Sequence, residues 1–406
     1  MDLFYLLLTL LFLSRALGAI AHSLGQPSLV GELIAGVALG LVLHYTPPGV
    51  PLGQELLDNE LFESLTDLGI FFLMLMAGME LRPESMREAS ISAFSIALFG
   101  MLVPLGAGFA LGWALLPPSE AHFAQSLFLG TALAITAVPV AARVLLDLGQ
   151  LDSPLGRAVI SAAVVDDVLS LILLAVLTGL LESGSLPSAG GLALLFGKIA
   201  LFFLLAWLAG RYLMPRVGRL MNWLTVDEAE MSIVLLVGFA YAFLAEALDL
   251  HFIVGAFFAG LYFRRRTASP EVYDEVKKRV SGLTTGFLAP LFFVSIGIHV
   301  APTAITETPI FVVALVLLAF VTKLVGAAVP AVFAGFGRRD SLAIGVGMSG
   351  RGAVELIIAD VALRAGLFAI PEPPPPLVAN LFSAVVIMAI VTTILTPILL
   401  RALFSR

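Results

Sequence analysis

Apolar runs of membrane-crossing length recur along the whole chain. A helix needs roughly 20 mostly apolar residues to cross the hydrocarbon of a bilayer. Thirteen runs can be marked: Leu3–Ala21, Ser28–Leu43, Leu61–Met79, Ile91–Leu116, His122–Leu146, Leu155–Leu181, Gly191–Leu213, Met231–Leu248, Phe252–Phe263, Leu283–His299, Pro309–Phe336, Leu342–Leu367 and Val378–Leu403. The ninth is short and the second marginal. Hydrophobic residues fill 60% of the 406 positions and charged residues 13%, where a soluble domain carries about 45–50% and about 25%. A soluble fold of this composition could not cover its surface with polar groups, and a disordered chain is never so apolar. The net charge is −7 and no extended basic face exists, which excludes nucleic acid as a partner. The chain reads as an all-α polytopic membrane protein of 13 transmembrane helices, with the lipid bilayer as its surroundings.

Cysteine is absent and the five His are scattered without ligand spacing. Disulfides and thiolate metal sites are therefore out. The stretch Leu3–Leu13 has no basic residue before it and continues through Arg15 and Gly18 toward His22, so it suits a first membrane helix better than a signal peptide. No appended soluble domain is expected, since Arg406 closes the chain just past an apolar run.

Orientation follows from Lys and Arg in the connections. Alternate connections hold Arg82, Arg87, Arg143, Arg157, Arg211, Arg216, Arg219, Arg264, Arg265, Arg266, Lys277, Lys278, Arg279, Arg338 and Arg339, and Arg401 and Arg406 end the chain on the same side. The opposite set holds only acids: Glu55, Asp58, Glu60, Glu120, Glu182, Glu307 and Glu372. This predicts an N-terminus outside and a C-terminus in the cytoplasm. Arg15, Lys198 and Arg364 fall near helix ends, from which they can snorkel. Lys323 and Arg351 fall deeper.

Two runs are interrupted. The fifth contains Thr136-Ala137-Val138-Pro139 at its centre, and the twelfth contains Gly345-Val346-Gly347-Met348-Ser349-Gly350-Arg351-Gly352. Such breaks free backbone groups at mid-membrane, which is tolerated only where protein buries them or a wet cavity solvates them. The breaks are seven runs apart, so the two broken helices cross in opposite directions. Runs 1–6 and 8–13 then form two inverted-topology repeats, with run 7 as linker. Paired broken helices at matching positions point to a midplane binding site.

The sixth run carries Asp166-Asp167 at its middle. An ionisable group at the bilayer centre costs at least ~2.5–3.5 kcal/mol, and membrane carboxylates mark ion or proton paths. Neighbours on a helix point about 100° apart, so the two acids have different surroundings. Lys323 in the eleventh run is the natural counter-ion for one of them. Arg351 and Glu355 stand four residues apart and share a helix face if the helix is regular there, reading as a structural pair near the site. Thr136 can offer a hydroxyl and a carbonyl, and Ser349 lies in the other break. Oxygen ligands of this kind suit a hard cation such as Na⁺, not a soft metal. Glu32, after Gly25-Gln26-Pro27 and Gly31, reads as an intracellular gate or a helix-end group. Glu80 and Asp67 flank the third run as structural acids.

Several stretches resemble the bacterial monovalent cation/proton antiporters, the Kef-like sodium/hydrogen exchanger family. They are Gly25-Gln-Pro-Ser-Leu-Val-Gly-Glu-Leu-Ile-Ala-Gly36, Thr131-Ala-Leu-Ala-Ile-Thr136, Ala142-Arg-Val-Leu145, Ala162-Ala-Val-Val-Asp-Asp-Val168, Leu288-Ala-Pro-Leu-Phe-Phe293, and Gly345-Val-Gly-Met348 with Arg351-Gly352. The resemblance implies an NhaA-like fold with two discontinuous crossing helices, a homodimer, elevator-type alternating access and a role in pH homeostasis. It implies exchange of Na⁺ (or Li⁺) for H⁺, electrogenic, with no cofactor and no enzymatic activity. Asp167 would be the main ion- and proton-binding carboxylate, and Asp166 would pair with Lys323 when the cation is absent. Thr136 would complete the Na⁺ site with Asp167 and Asp166, supported by Arg351, Glu355, Pro139, Ser349 and Glu32. Residues 1–81 and 228–300 would form a dimerisation scaffold, 90–182 and 308–406 a moving core, and 190–213 the linker.

The chain departs from the family pattern at Ala353, where look-alikes often carry Glu, and in its Pro139. A nucleotide-binding tail like that of Kef potassium systems is not expected. A K⁺/H⁺ antiporter of the Kef type is the alternative, followed by an organic-anion symporter on a related inverted fold. A channel would want a ring of like ligands, and a membrane enzyme a catalytic motif that is not present.

Overall fold

The computed structural model describes residues 2–45, 60–80, 91–136, 138–147, 150, 153–183, 189–223, 228–264 and 268–404. Arg82, Arg87, Arg265, Arg266, Arg406, Glu55, Asp58 and Ala137, named above, lie outside them.

All regular structure among the described residues is helical. In chain order the helices are α1 Asp2–Ser23, α2 Ser28–Tyr45, α3 Glu60–Glu80, α4 Ile91–Leu115, α5 His122–Ala134, α6 Val138–Asp147, α7 Pro154–Ser183, α8 Ala189–Leu208 and α9 Met214–Trp223. They continue as α10 Ala229–Glu246, α11 Phe252–Tyr262, α12 Pro270–Leu283, α13 Ala289–Ile298, α14 Thr303–Glu307, α15 Pro309–Phe333, α16 Arg338–Gly347, α17 Ala353–Arg364, α18 Pro376–Ala379 and α19 Leu381–Phe404. A π-helical turn joins α8 to α9 (Ala209–Leu213) and another joins α12 to α13 (Thr284–Leu288).

Nine helices among the described residues are long and apolar enough to cross a membrane, and Ser28–Leu43 and Phe252–Tyr262 are shorter apolar helices. The protein is thus an all-helical polytopic membrane protein. Helix follows from the solvent: in hydrocarbon each backbone donor and acceptor must be satisfied within the segment.

Two helices run well past their apolar runs. The seventh run ends at Leu213, yet helix continues to Trp223. The tenth begins at Leu283, yet helix starts at Pro270, where Ser269 Oγ accepts from the Val272 amide at 3.3 Å. A Ser cap followed by Pro at the first helical position is a strong start signal. The added turns carry Glu271, Glu275, Lys277, Lys278 and Arg279, charges that hydropathy reads as loop.

The chain divides into two compact units. The first comprises Met1–Leu11, Pro48–Pro83 and Pro187–Phe292. Within it α3 and α11 meet backbone to backbone: a Cβ at Gly78 would collide with the Phe257 carbonyl, and one at Gly260 with the Leu75 carbonyl. Small residues allow this approach, and dispersion contacts hold helices together where lipid supplies no hydrophobic drive. The Tyr273 hydroxyl donates to the Met79 carbonyl at 2.8 Å. Lys198 forms an ion pair with Asp249.

The second unit comprises Phe12–Pro47, Glu84–Leu186 and Phe293–Arg406. Ile96, Leu145, Val159, Ala327, Ile344 and Leu400 belong to one buried cluster that binds α4, α6, α7, α15, α16 and α19. Gly326 of α15 lies so close to α4 that a Cβ there would stand 2.6 Å from the Phe99 carbonyl oxygen. Gln125 on α5 donates to the carbonyls of Leu367 at 2.9 Å and Ile370 at 2.6 Å. Arg364 Nε stands 2.7 Å from Asp360.

Candidate ion-binding site

The second unit contains both interrupted runs. Helix α5 stops at Ala134, Ile135 is extended with φ −75° and ψ 145°, and α6 resumes at Val138. Pro139 falls in the first turn of α6, where an absent amide hydrogen breaks no helical bond. Helix α16 stops at Gly347, Gly352 is extended with φ −164° and ψ −156°, and α17 starts at Ala353. The Thr136 hydroxyl donates to the Met348 carbonyl at 3.1 Å, so the two breaks touch.

A helix ending in an apolar interior leaves its last carbonyls without partners. Here two buried cationic side chains take them. Arg351 Nη1 donates to Ala132 O at 3.0 Å and to Ile135 O, and Nη2 donates to Leu133 O at 2.6 Å. Lys323 Nζ donates to Ala134 O. Four successive carbonyls are thus claimed by two positive groups at the negative end of the α5 dipole, an arrangement the dipole favours.

Lys323 Nζ also lies 3.1 Å from Asp166 Oδ1. Both side chains are 0% exposed, so the ion pair is fully withdrawn from solvent. Asp166 Oδ2 has no hydrogen-bond partner among the described residues. Asp167, the next residue on α7, is only half-buried. The two acids therefore have the unlike surroundings that a 100° turn implies.

Arg351 Nε lies 3.6 Å from Glu355 Oε2, with both side chains 0% exposed. Neither Glu355 oxygen has a hydrogen bond among the described residues. The Thr393 hydroxyl on α19 donates to Arg351 O at 3.1 Å, and the Ser349 hydroxyl donates to Gly345 O at 2.8 Å. One cluster thus brings together Asp166, Thr136, Lys323, Arg351 and Glu355. Glu32 lies instead on α2, buried beside Gly18 of α1.

The carbonyl cap formed by Arg351 and the strut from Thr393 were not legible in the sequence. Thr392-Thr393 inside an apolar run was the one available signal. A backbone oxygen carries no residue identity, so the carbonyls of 132–135 could not be anticipated.

Chemically, the cluster offers a buried carboxylate, a hydroxyl and carbonyl oxygens, with an ammonium already bound to one oxygen of each of two kinds. Hard oxygens around a bound cation are what a monovalent-ion carrier requires, and intramembrane charges of this kind mark transport paths.

Known proteins resemble the chain over nearly its whole length. Residues 7–406 match the family model described as "Sodium/hydrogen exchanger, transmembrane". The chain is 32% identical over 404 residues to the Na(+)/H(+)-K(+) antiporter GerN of Bacillus cereus, covering 100% of this chain and 97% of that one. It is 28% identical over 399 residues to a Na(+)/H(+) antiporter of Enterococcus hirae, covering 97% and 96%. The sodium proton antiporter MjNhaP1 of Methanocaldococcus jannaschii shares the fold, with a TM-score of 0.73 at 18% identity over 99% of this chain and 97% of that one. From these matches over nearly its full length, the chain belongs to the sodium/hydrogen exchanger family of secondary transporters.

Proposed function

We propose that the protein exchanges Na⁺ (or Li⁺) for H⁺ across a bacterial cytoplasmic membrane by alternating access at the cluster around Asp166 and Asp167. The buried Asp166–Lys323 pair, beside two touching helix breaks, carries this reading. The Lys323 ammonium sits between a carboxylate oxygen and a carbonyl oxygen, both ligands that Na⁺ would take. An arriving cation competes with that tethered ammonium for Asp166, while Asp167, on the more open face, receives the cation or a proton.

Competition couples the two flows. Protons load from the more acidic outside and Na⁺ from the cytoplasm, and neither crosses together with the other. Two protons against one Na⁺ would move one net charge per cycle, to which the membrane potential adds ~2.3 kcal/mol per 100 mV. Thirteen crossings would follow if the nine long helices, the two short apolar ones and the two interrupted pairs among the described residues each cross once. The segregation of Lys and Arg then favours an external N-terminus and a cytoplasmic C-terminus. Residues 90–182 and 308–406 would move as the core, 1–81 and 228–300 would hold the scaffold of a homodimer, and 190–213 would link them.

K⁺ transport is the second reading, favoured by the relative whose name includes K(+). Proteoliposomes with an imposed acid-inside gradient decide between them. Dissipation by Na⁺ or Li⁺ alone, lost in Asp167→Asn, supports the first reading. Dissipation by K⁺ as well supports the second. No response to any of these cations by folded protein overturns both.

A further inference from the structure

Glu355 is a buried carboxylate that the exchange scheme does not use. It sits in the first turn of α17, next to the positive end of that helix. Its neighbour Arg351 spends both terminal nitrogens on the carbonyls of Ala132, Leu133 and Ile135. Its Nε faces Glu355 at 3.6 Å. Charge therefore alternates through the cluster: the negative end of α5, the Arg351 guanidinium, the Glu355 carboxylate, the positive end of α17.

Lys323 and Asp166 make a second fully buried pair, so among the described residues each of these two cations has its own acid within ion-pair distance. Removing the Glu355 charge leaves the guanidinium facing the positive end of α17 with no acid within ion-pair distance among the described residues. The fork then loses the group that fixes its far side, and its three carbonyls are the residues immediately before Thr136. Selectivity between cations of different radius depends on how rigidly their ligands are held.

We infer that Glu355 is a positioning residue that sets cation selectivity. It acts through Arg351, which holds the α5 break, and with it Thr136, at the spacing that suits the smaller cation. This rests on the placement of the ion site proposed above. Loosening the break lets the site widen and admit K⁺.

The test compares wild type, Glu355→Gln and Glu355→Asp in proteoliposomes, reading the ratio of KM for K⁺ to KM for Na⁺. Glu355→Gln should lower that ratio about tenfold, the factor that 1.4 kcal/mol represents, and Glu355→Asp, which keeps the charge, should restore most of it. An unchanged ratio in an active Glu355→Gln protein overturns the inference. Amide hydrogen exchange of the segment 132–138 in detergent gives a readout free of transport. Faster exchange there in Glu355→Gln than in Glu355→Asp, with the rest of the chain unchanged, supports the positioning role; equal exchange overturns it. A wild type that moves neither cation fails the proposed function instead, and the hydrogen-exchange comparison still decides the role of Glu355.

Discussion

Replacing Lys323 with Ala removes the only hydrogen-bond donor that the described residues give Asp166 Oδ1, while Oδ2 has none. It also releases the Ala134 carbonyl at the end of α5. Both partners of the pair are 0% exposed, so solvent cannot fill in. Breaking a fully buried pair from one side costs about 3–5 kcal/mol, because a charge is left uncompensated. Removing both partners together is far cheaper. Asp166→Asn combined with Lys323→Ala should therefore lose much less than the sum of its parts, with a coupling of about 2 kcal/mol or more. Unfolding of the four proteins in detergent, with and without Na⁺, measures this. Sodium should stabilise Lys323→Ala more than wild type at equal concentration, since in wild type it must first displace the ammonium. A cation at 100 times its dissociation constant adds about 2.7 kcal/mol. Single costs below about 1 kcal/mol that simply add in the double variant would refute a buried, mutually dependent pair.

Asp167→Asn should fold normally and lose exchange, and wild-type exchange in that variant would remove the residue from the site. Lowering the pH on the Na⁺-loading side should raise the apparent KM for Na⁺ while leaving the maximal rate nearly constant; a falling rate at constant KM would argue against competition. Gly326→Leu should destabilise the protein by about 1–3 kcal/mol, because its Cβ would press the Phe99 carbonyl oxygen from 2.6 Å; thermal unfolding in detergent at wild-type stability would contradict the packing of α4 on α15. Lys198→Ala, which breaks a largely exposed pair with Asp249, should change stability by less than about 1 kcal/mol, measured the same way.

Much of the candidate site was legible because the membrane makes charge expensive. Asp166-Asp167 and Lys323 stand out against apolar neighbours, and Pro139 and the glycines after Ile344 announce interrupted helices. The pairing choice was less legible. Both aspartates are adjacent to the same apolar residues, and only the rotation of α7 puts Asp166 against Lys323. Arg351 was read with Glu355 alone, since their spacing is visible along the chain. Its main partners are carbonyls of residues some two hundred positions earlier, which no local pattern encodes. Helix ends were misjudged where charges flank an apolar run, as at Pro270–Leu283, because hydropathy measures lipid contact and helix continues into water.

The sequence by itself determined that this chain is a helical membrane protein with a charged centre. Hydrocarbon forbids exposed backbone polar groups and isolated charges, so composition and spacing carry that information directly. The tertiary structure decided which charge meets which. It turned four carbonyls at the end of α5 into acceptors for Lys323 and Arg351, withdrew Asp166 from solvent and left Asp167 half-exposed. Those assignments depend on helix rotation and on contacts between distant segments, and both are set by packing within the folded unit.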